Sequence, residues 1–187
     1  MEDFIIKDLG KPHDSEVYHY TKLENLFKII TEKGLVFHAS RFDVMNDPED
    51  TKFQNNYINK LLEDNGLIQI LGEFGSGEAS PFIVSFSCSK DDAMMWRLYD
   101  ADVFLHIDTK IIYDYCENKA CKHTFMGKVT YGEIVKGSKA DLKINEVLNA
   151  RTDQRDFEAD VYLSLYKHQD FEKEDEWRLM CFGKDEI

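Results

Sequence analysis

Apolar positions along the chain recur with two different periods, and each change of period predicts a change of element. Glu16-Val17-Tyr18-His19-Tyr20 is rich in strand formers. Thr21 follows where a helix N-cap belongs, and Glu24 stands three residues on, the spacing of a capping box. Leu23, Leu26, Phe27 and Ile30 then recur at helical spacing, so a helix is expected over 22–33, packed through Leu26, Phe27 and Ile30. Gly34 is the expected stop of that helix, and Leu35-Val36-Phe37-His38 reads as a second strand.

Ser40 opens a loop around the turn Asn46-Asp47-Pro48, followed by an expected helix over 49–63. The glycines at 72, 75 and 77 mark the most loop-like interior stretch. Strands are then expected over 82–88, 102–107, 122–132 and 176–182. Helices are expected over 91–99, from Thr109 to residue 117, and over 139–168 with a break near 150–152. Repeats and low-complexity tracts are absent. The irregular mixture of elements favours an α+β fold with a mixed or antiparallel sheet over a doubly wound parallel one.

The 187 residues suit one domain, 1–187, with a polar lead-in over 1–15. No apolar run approaches the length of a membrane span, and the first residues lack the basic start and apolar stretch of a signal peptide. The expectation is a cytoplasmic protein. Acids outnumber bases by 36 to 23, giving a net charge of −13, which argues against tight binding to nucleic acid because that binding rests on clustered Lys and Arg. Four cysteines do not make a secreted framework in a domain of this size. Cys116, Cys121 and His123 lie close in sequence, with His106 as the other nearby candidate. A structural zinc needs about four ligands in tight pairs, so reduced thiols are the reading and no metal is expected.

Phosphate loops, dinucleotide glycine fingerprints, nucleophile elbows and zinc-protease motifs are all missing from the sequence. Tyr18-His19-Tyr20-Thr21, Asn25-Leu26, Ile29-Ile30 and Gly34-Leu35 resemble the opening of ADP-ribosyltransferase-type domains. Such domains begin with a strand ending in a His near a Thr or Ser, then a helix, then Gly-Leu. A second resemblance is carried by Arg41 before Asn46-Asp47-Pro48-Glu49, Ser85-Phe86-Ser87, Met95-Trp96-Arg97-Leu98-Tyr99 and Glu176-Trp177-Arg178-Leu179. These blocks span most of the chain and resemble the bacterial domain of unknown function 2971.

The transferase resemblance implies a split sheet flanked by helices, with NAD held bent in its cleft as substrate. By position His19 takes the ribose role, beside Tyr20 and Thr21, and Arg41 is a candidate phosphate partner. Phe86, Trp96 or Tyr99 supplies the aromatic that stacks on nicotinamide, and Phe86 stands where the class carries a Tyr. Glu176 takes the carboxylate role, stabilising an oxocarbenium-like state by fixed charge. Each position has a plainer reading: a core histidine, a packed helix face for Trp96 and Tyr99, a solvated run for Glu174-Asp175-Glu176, an internal ion pair for Arg178. The expected activity is transfer of ADP-ribose to a macromolecular acceptor, or hydrolysis of NAD, as in toxins and phage-defence proteins. The rivals are a non-catalytic nucleotide- or protein-binding module of the same fold, and an acidic binder suggested only by the charge.

Overall fold

The strand expected at the start of the chain forms over Glu16–Thr21 (β1) and buries Val17 and Thr21 on one face and Tyr18 and Tyr20 on the other. A strand buried on both faces belongs inside a sheet. In the computed structural model, which describes residues 16–41, 81–118, 124–150 and 157–181 with residues 56, 60 and 63, it lies between two partners. The sheet consists of β1, β4 (Ser40–Arg41), β5 (Phe82–Ser87), β6 (Val103–Asp108), β7 (Thr124–Lys128) and β10 (Glu176–Cys181), and every pairing in it is antiparallel. Its order is β6-β1-β5-β10-β7. Helices flank this sheet, so the α+β class and the antiparallel sheet hold.

One detail of the pairing creates the site. β10 runs along one edge of β5 from Ser87 to Phe82. The other edge is shared: β1 pairs there through Tyr18 and Ser87, while β4 pairs with Ile83 and Phe82. Between these two pairings β1 and β5 part, and the sheet opens.

Direct partners in a sheet share a face. One face carries Val17, Val84, Phe86, Ile107, Met126 and Trp177, which form a buried cluster with Ile112 of α3 (Thr109–Asn118). Each such burial is worth about 1.5–3 kcal/mol. On the other face, Tyr18, Tyr20 and Phe104 pack against Met94, Met95 and Trp96 of α2 (Ala93–Leu98). Asp92 starts α2 by accepting from the backbone N–H of Met94 at 2.6 Å and of Met95 at 3.4 Å.

The rest of that second face meets a smaller unit. α4 (Lys139–Ala150) packs on α5 (Phe157–Ser164), and β8 (Thr130–Tyr131) pairs in parallel with β9 (Tyr166–Lys167). A 3-10 turn over Gln169–Glu174 then leads into β10. At Gly127, opposite Arg178, an added Cβ would stand 2.6 Å from a methyl of Leu165, so this glycine allows the close approach of the smaller unit.

The first helix departs from expectation. α1 covers only Leu23–Ile29, with Lys22 as N-cap and no side-chain cap bond. Thr21 is spent in β1, and the carboxylate of Asp102 instead accepts from the N–H of Leu23 at 3.2 Å. Of the expected packing residues, Phe27 is 78% exposed, Ile30 51% and Leu26 half-buried, and the buried residue of the helix is Ile29, which was not expected. Gly34 does not stop the helix. It sits at φ +118° in a hairpin of β2 (Ile30–Thr31) and β3 (Gly34–Leu35), so the expected strand over 35–38 is reduced to its first residue. The turn at 46–48, the glycine stretch at 72–77 and most of the expected helix over 49–63 lie outside the described residues, with 56, 60 and 63 helical.

Candidate functional site

A cavity of about 650 Å³ opens where β1 and β5 part. That volume lies within the roughly 300–1,000 Å³ typical of small-molecule sites. Its walls include His19 and Tyr20 of β1, Ser85, Phe86 and Ser87 of β5, Tyr99 after α2, and Lys167, Glu174 and Glu176. His38 and Ser40, leading into β4, complete the side towards the gap.

The gap shapes His19. Its Nδ1 lies 3.0 Å from the carbonyl oxygen of Ser85. A carbonyl only accepts, so Nδ1 carries the proton and the neutral ring keeps Nε2 as its acceptor. The ring is wedged edge-on between Phe37 and Phe86, with centroids 5.1 and 5.8 Å away. Burial lowers the histidine pKa below its ordinary value, partly opposed by the Ser85 bond. The sign for stability follows: the unfolded chain binds a proton here more readily, so this group's contribution is complete above about pH 6.5 and falls as the pH drops towards the lowered folded value. His19→Gln is therefore expected to remove part of the acid-side decline in urea midpoint. An unchanged profile would show that His19 is not the group responsible.

Glu176 begins β10 and is 2% exposed. Arg178, two residues on and on the same face, is 0% exposed and donates from Nε to Oε1 at 2.9 Å and from NH2 to Oε2 at 3.1 Å. The hydroxyl of Ser85 also donates to Oε1. Lys167 Nζ stands 3.5 Å from Oε2. Burial pushes the Glu176 carboxyl up, but Arg178 and then Lys167, aided by the hydrogen bonds, hold it below the usual carboxylate range. The backbone N–H of Glu176 donates to the Tyr131 hydroxyl at 2.8 Å, a partner supplied by the smaller unit.

The structure brings together His19, Tyr20, Phe86, Tyr99 and Glu176 of the residues singled out from sequence. Tyr20 spends its hydroxyl on the α2 lead-in, donating to the Ser89 carbonyl at 2.7 Å and accepting from the Asp92 N–H at 3.2 Å. Phe86 is 2% exposed and enclosed, whereas Tyr99 leaves 38% of its surface open. Burial, then the charges of Glu176 and Glu174, push the Tyr99 hydroxyl pKa well up. Trp96, Thr21 and Arg41 do not line the cavity. The Trp96 indole donates to Asp91 at 2.9 Å and its ring packs on Tyr20 and Phe104, because the helix turn aims it at the core. Thr21 is buried in β1, and on β4 it is Ser40 rather than exposed Arg41 that faces the opening.

Sequence reasoning missed Lys167, Glu174, Ser87 and Tyr131. The run at 174–176 is not a solvated face: Glu174 is buried and its Oε2 lies 2.8 Å from Lys167. A polar alternation, Ser85 and Ser87 in an otherwise apolar strand, was the readable signal for this face. Lys167 carried none. Among the described residues no group of three or more His, Cys, Asp and Glu is placed to hold a metal, and no helix is long and apolar enough to cross a membrane. Cys121 and His123 lie outside those residues.

Residues 95–179 match the model of DUF2971, a family described as a protein of unknown function. Over that stretch, less than half of the chain, the sequence is similar to this family. The DUF2971 segment runs from Met95 in α2 to Leu179 in β10, so it holds Tyr99, Lys167, Glu174, Glu176 and Arg178. β1 with His19, and the Ser85-Phe86-Ser87 strand, precede it. No curated protein and no solved structure matches the chain.

Proposed function

We propose that the chain is an ADP-ribosyltransferase-like domain that binds NAD in the gap between β1 and β5 and transfers ADP-ribose to a macromolecule or to water. The observation that carries this reading is that the cavity at the gap is lined by both His19 and Glu176, which come from strands separated by β5 and from opposite faces of the sheet. In this reading His19 Nε2 accepts a hydrogen bond from a ribose hydroxyl, and Tyr99 is the open aromatic face for nicotinamide. The bond from ribose C1′ to the pyridinium nitrogen breaks, its electron pair leaving with neutral nicotinamide. The acceptor oxygen or nitrogen then bonds C1′ and loses its proton. Glu176 stabilises the positive charge that develops on the ribose in between. A toxin or phage-defence role would follow from such transfer.

A second reading, a non-catalytic nucleotide-binding module of the same fold, is favoured by one observation. Both oxygens of Glu176 already accept hydrogen bonds from Arg178, and one of them also from Ser85. Two measurements separate the readings: NAD binding by calorimetry, and nicotinamide release over hours with a broad set of acceptors. Binding with release is expected. Binding alone would favour the module, and neither would defeat the NAD site altogether.

A further inference from the structure

Among the described residues, the buried floor of the cavity and the layer behind it hold two carboxylates and two cations, Glu174, Glu176, Lys167 and Arg178. Lys167 is shared unevenly between the two carboxylates. Lys167 Nζ lies 2.8 Å from Glu174 Oε2 but 3.5 Å from Glu176 Oε2, longer than an ordinary hydrogen bond. Glu174 therefore draws the ammonium away from Glu176. The Glu174 main chain is fixed in turn: its carbonyl accepts from the Ser87 hydroxyl at 2.7 Å, and the next carbonyl, of Asp175, accepts from the Cys88 N–H at 2.9 Å. Lys167 is also held over the Phe171 ring, 4.7 Å from its centroid.

We propose that Glu174 is a positioning residue for Glu176, holding Lys167 so that the Glu176 carboxylate is not capped by the ammonium. This rests on the transferase reading. When the C1′–N bond breaks, positive charge appears on the ribose, and an ammonium closed on the Glu176 carboxylate opposes it. A neutral residue at 174 weakens the hold on Lys167 and lets it close on Glu176. The effect of Glu174 is thus exerted through Lys167 and not by touching the substrate.

The test uses Glu174→Gln and the double variant Glu174→Gln with Lys167→Met. Glu174→Gln is expected to slow nicotinamide release roughly tenfold to a hundredfold, the range for one unit charge a few ångströms away in a protein-like dielectric. In its crystal structure Lys167 Nζ should lie within hydrogen-bond distance of Glu176. The double variant removes the ammonium that would cap Glu176 and should recover most of the rate. A purely structural role for Glu174 would lower the unfolding midpoint without this recovery. Three results would overturn the proposal: a wild-type rate in folded Glu174→Gln, a double variant no faster than the single one, or Lys167 unmoved in the crystal. If Glu174→Gln does not fold, the double variant decides the matter by its rate alone. Absence of release from the wild type would instead defeat the transferase reading, and the Lys167 position would still judge the positioning.

Discussion

Replacing Arg178 with methionine is expected to lower the unfolding free energy by about 3–5 kcal/mol, the cost of stranding one member of a buried ion pair. The guanidinium has no exposed surface, bonds both oxygens of Glu176, and donates from NH1 to the Ser164 carbonyl at 2.7 Å. It therefore pins β10 to the end of α5 as well as neutralising Glu176. Methionine fills much of the volume but leaves the carboxylate with only Ser85 and the more distant Lys167. Glu176 is held below the usual carboxylate range in the wild type. Its contribution is thus complete above the unfolded value of about 4.3 and is lost as the pH falls through the folded one. The variant should lose stability at neutral pH and show a weaker further decline in acid. Urea unfolding at both pH values measures this, and equal midpoints at neutral pH would show that the pair does not stabilise the fold.

The second large effect is on chemistry. Glu176→Gln keeps the shape and removes the charge that faces the cavity, and nicotinamide release is expected to fall about 10²–10³-fold. The structure adds a consequence that a rim carboxylate would not have. Because Glu176 is buried against Arg178, the glutamine variant also strands a guanidinium and loses stability. Loss of activity alone is then ambiguous. The double variant Glu176→Gln with Arg178→Met removes both charges, and neutral replacement of a buried pair is often harmless to stability. It should regain most of the unfolding midpoint and none of the rate. A double variant that turns over NAD like the wild type would remove Glu176 from the chemistry.

Much of the framework was legible in the chain itself. Runs of strand formers gave β1, β5 and β10 to within a residue, and the helix expected over 91–99 contains α2. These elements are written locally because their two faces or their cap are adjacent in sequence. The first helix was misread for the opposite reason. Thr21 and Glu24 have capping-box spacing, but β1 continues through Thr21, and the bond to the Leu23 N–H comes from Asp102, far along the chain. The same spacing of Ser and acid does work at Ser138 and Asp141, where no strand claims the serine.

The site divides in the same way. His19 and Glu176 could be named from sequence because each sits in a recognisable local motif on a strand. Only the tertiary structure decided that they share one cavity, since that depends on β1 and β4 dividing a single edge of β5. It also decided the charge environment. Lys167 comes from β9 and Glu174 from the 3-10 turn, and they reach Glu176 and Arg178 of β10 only through folding. Strand periodicity, and with it the pairing of Arg178 with Glu176 two residues before it, is a property of neighbouring residues, whereas the approach of Lys167 to Glu176 is a property of elements brought together by folding.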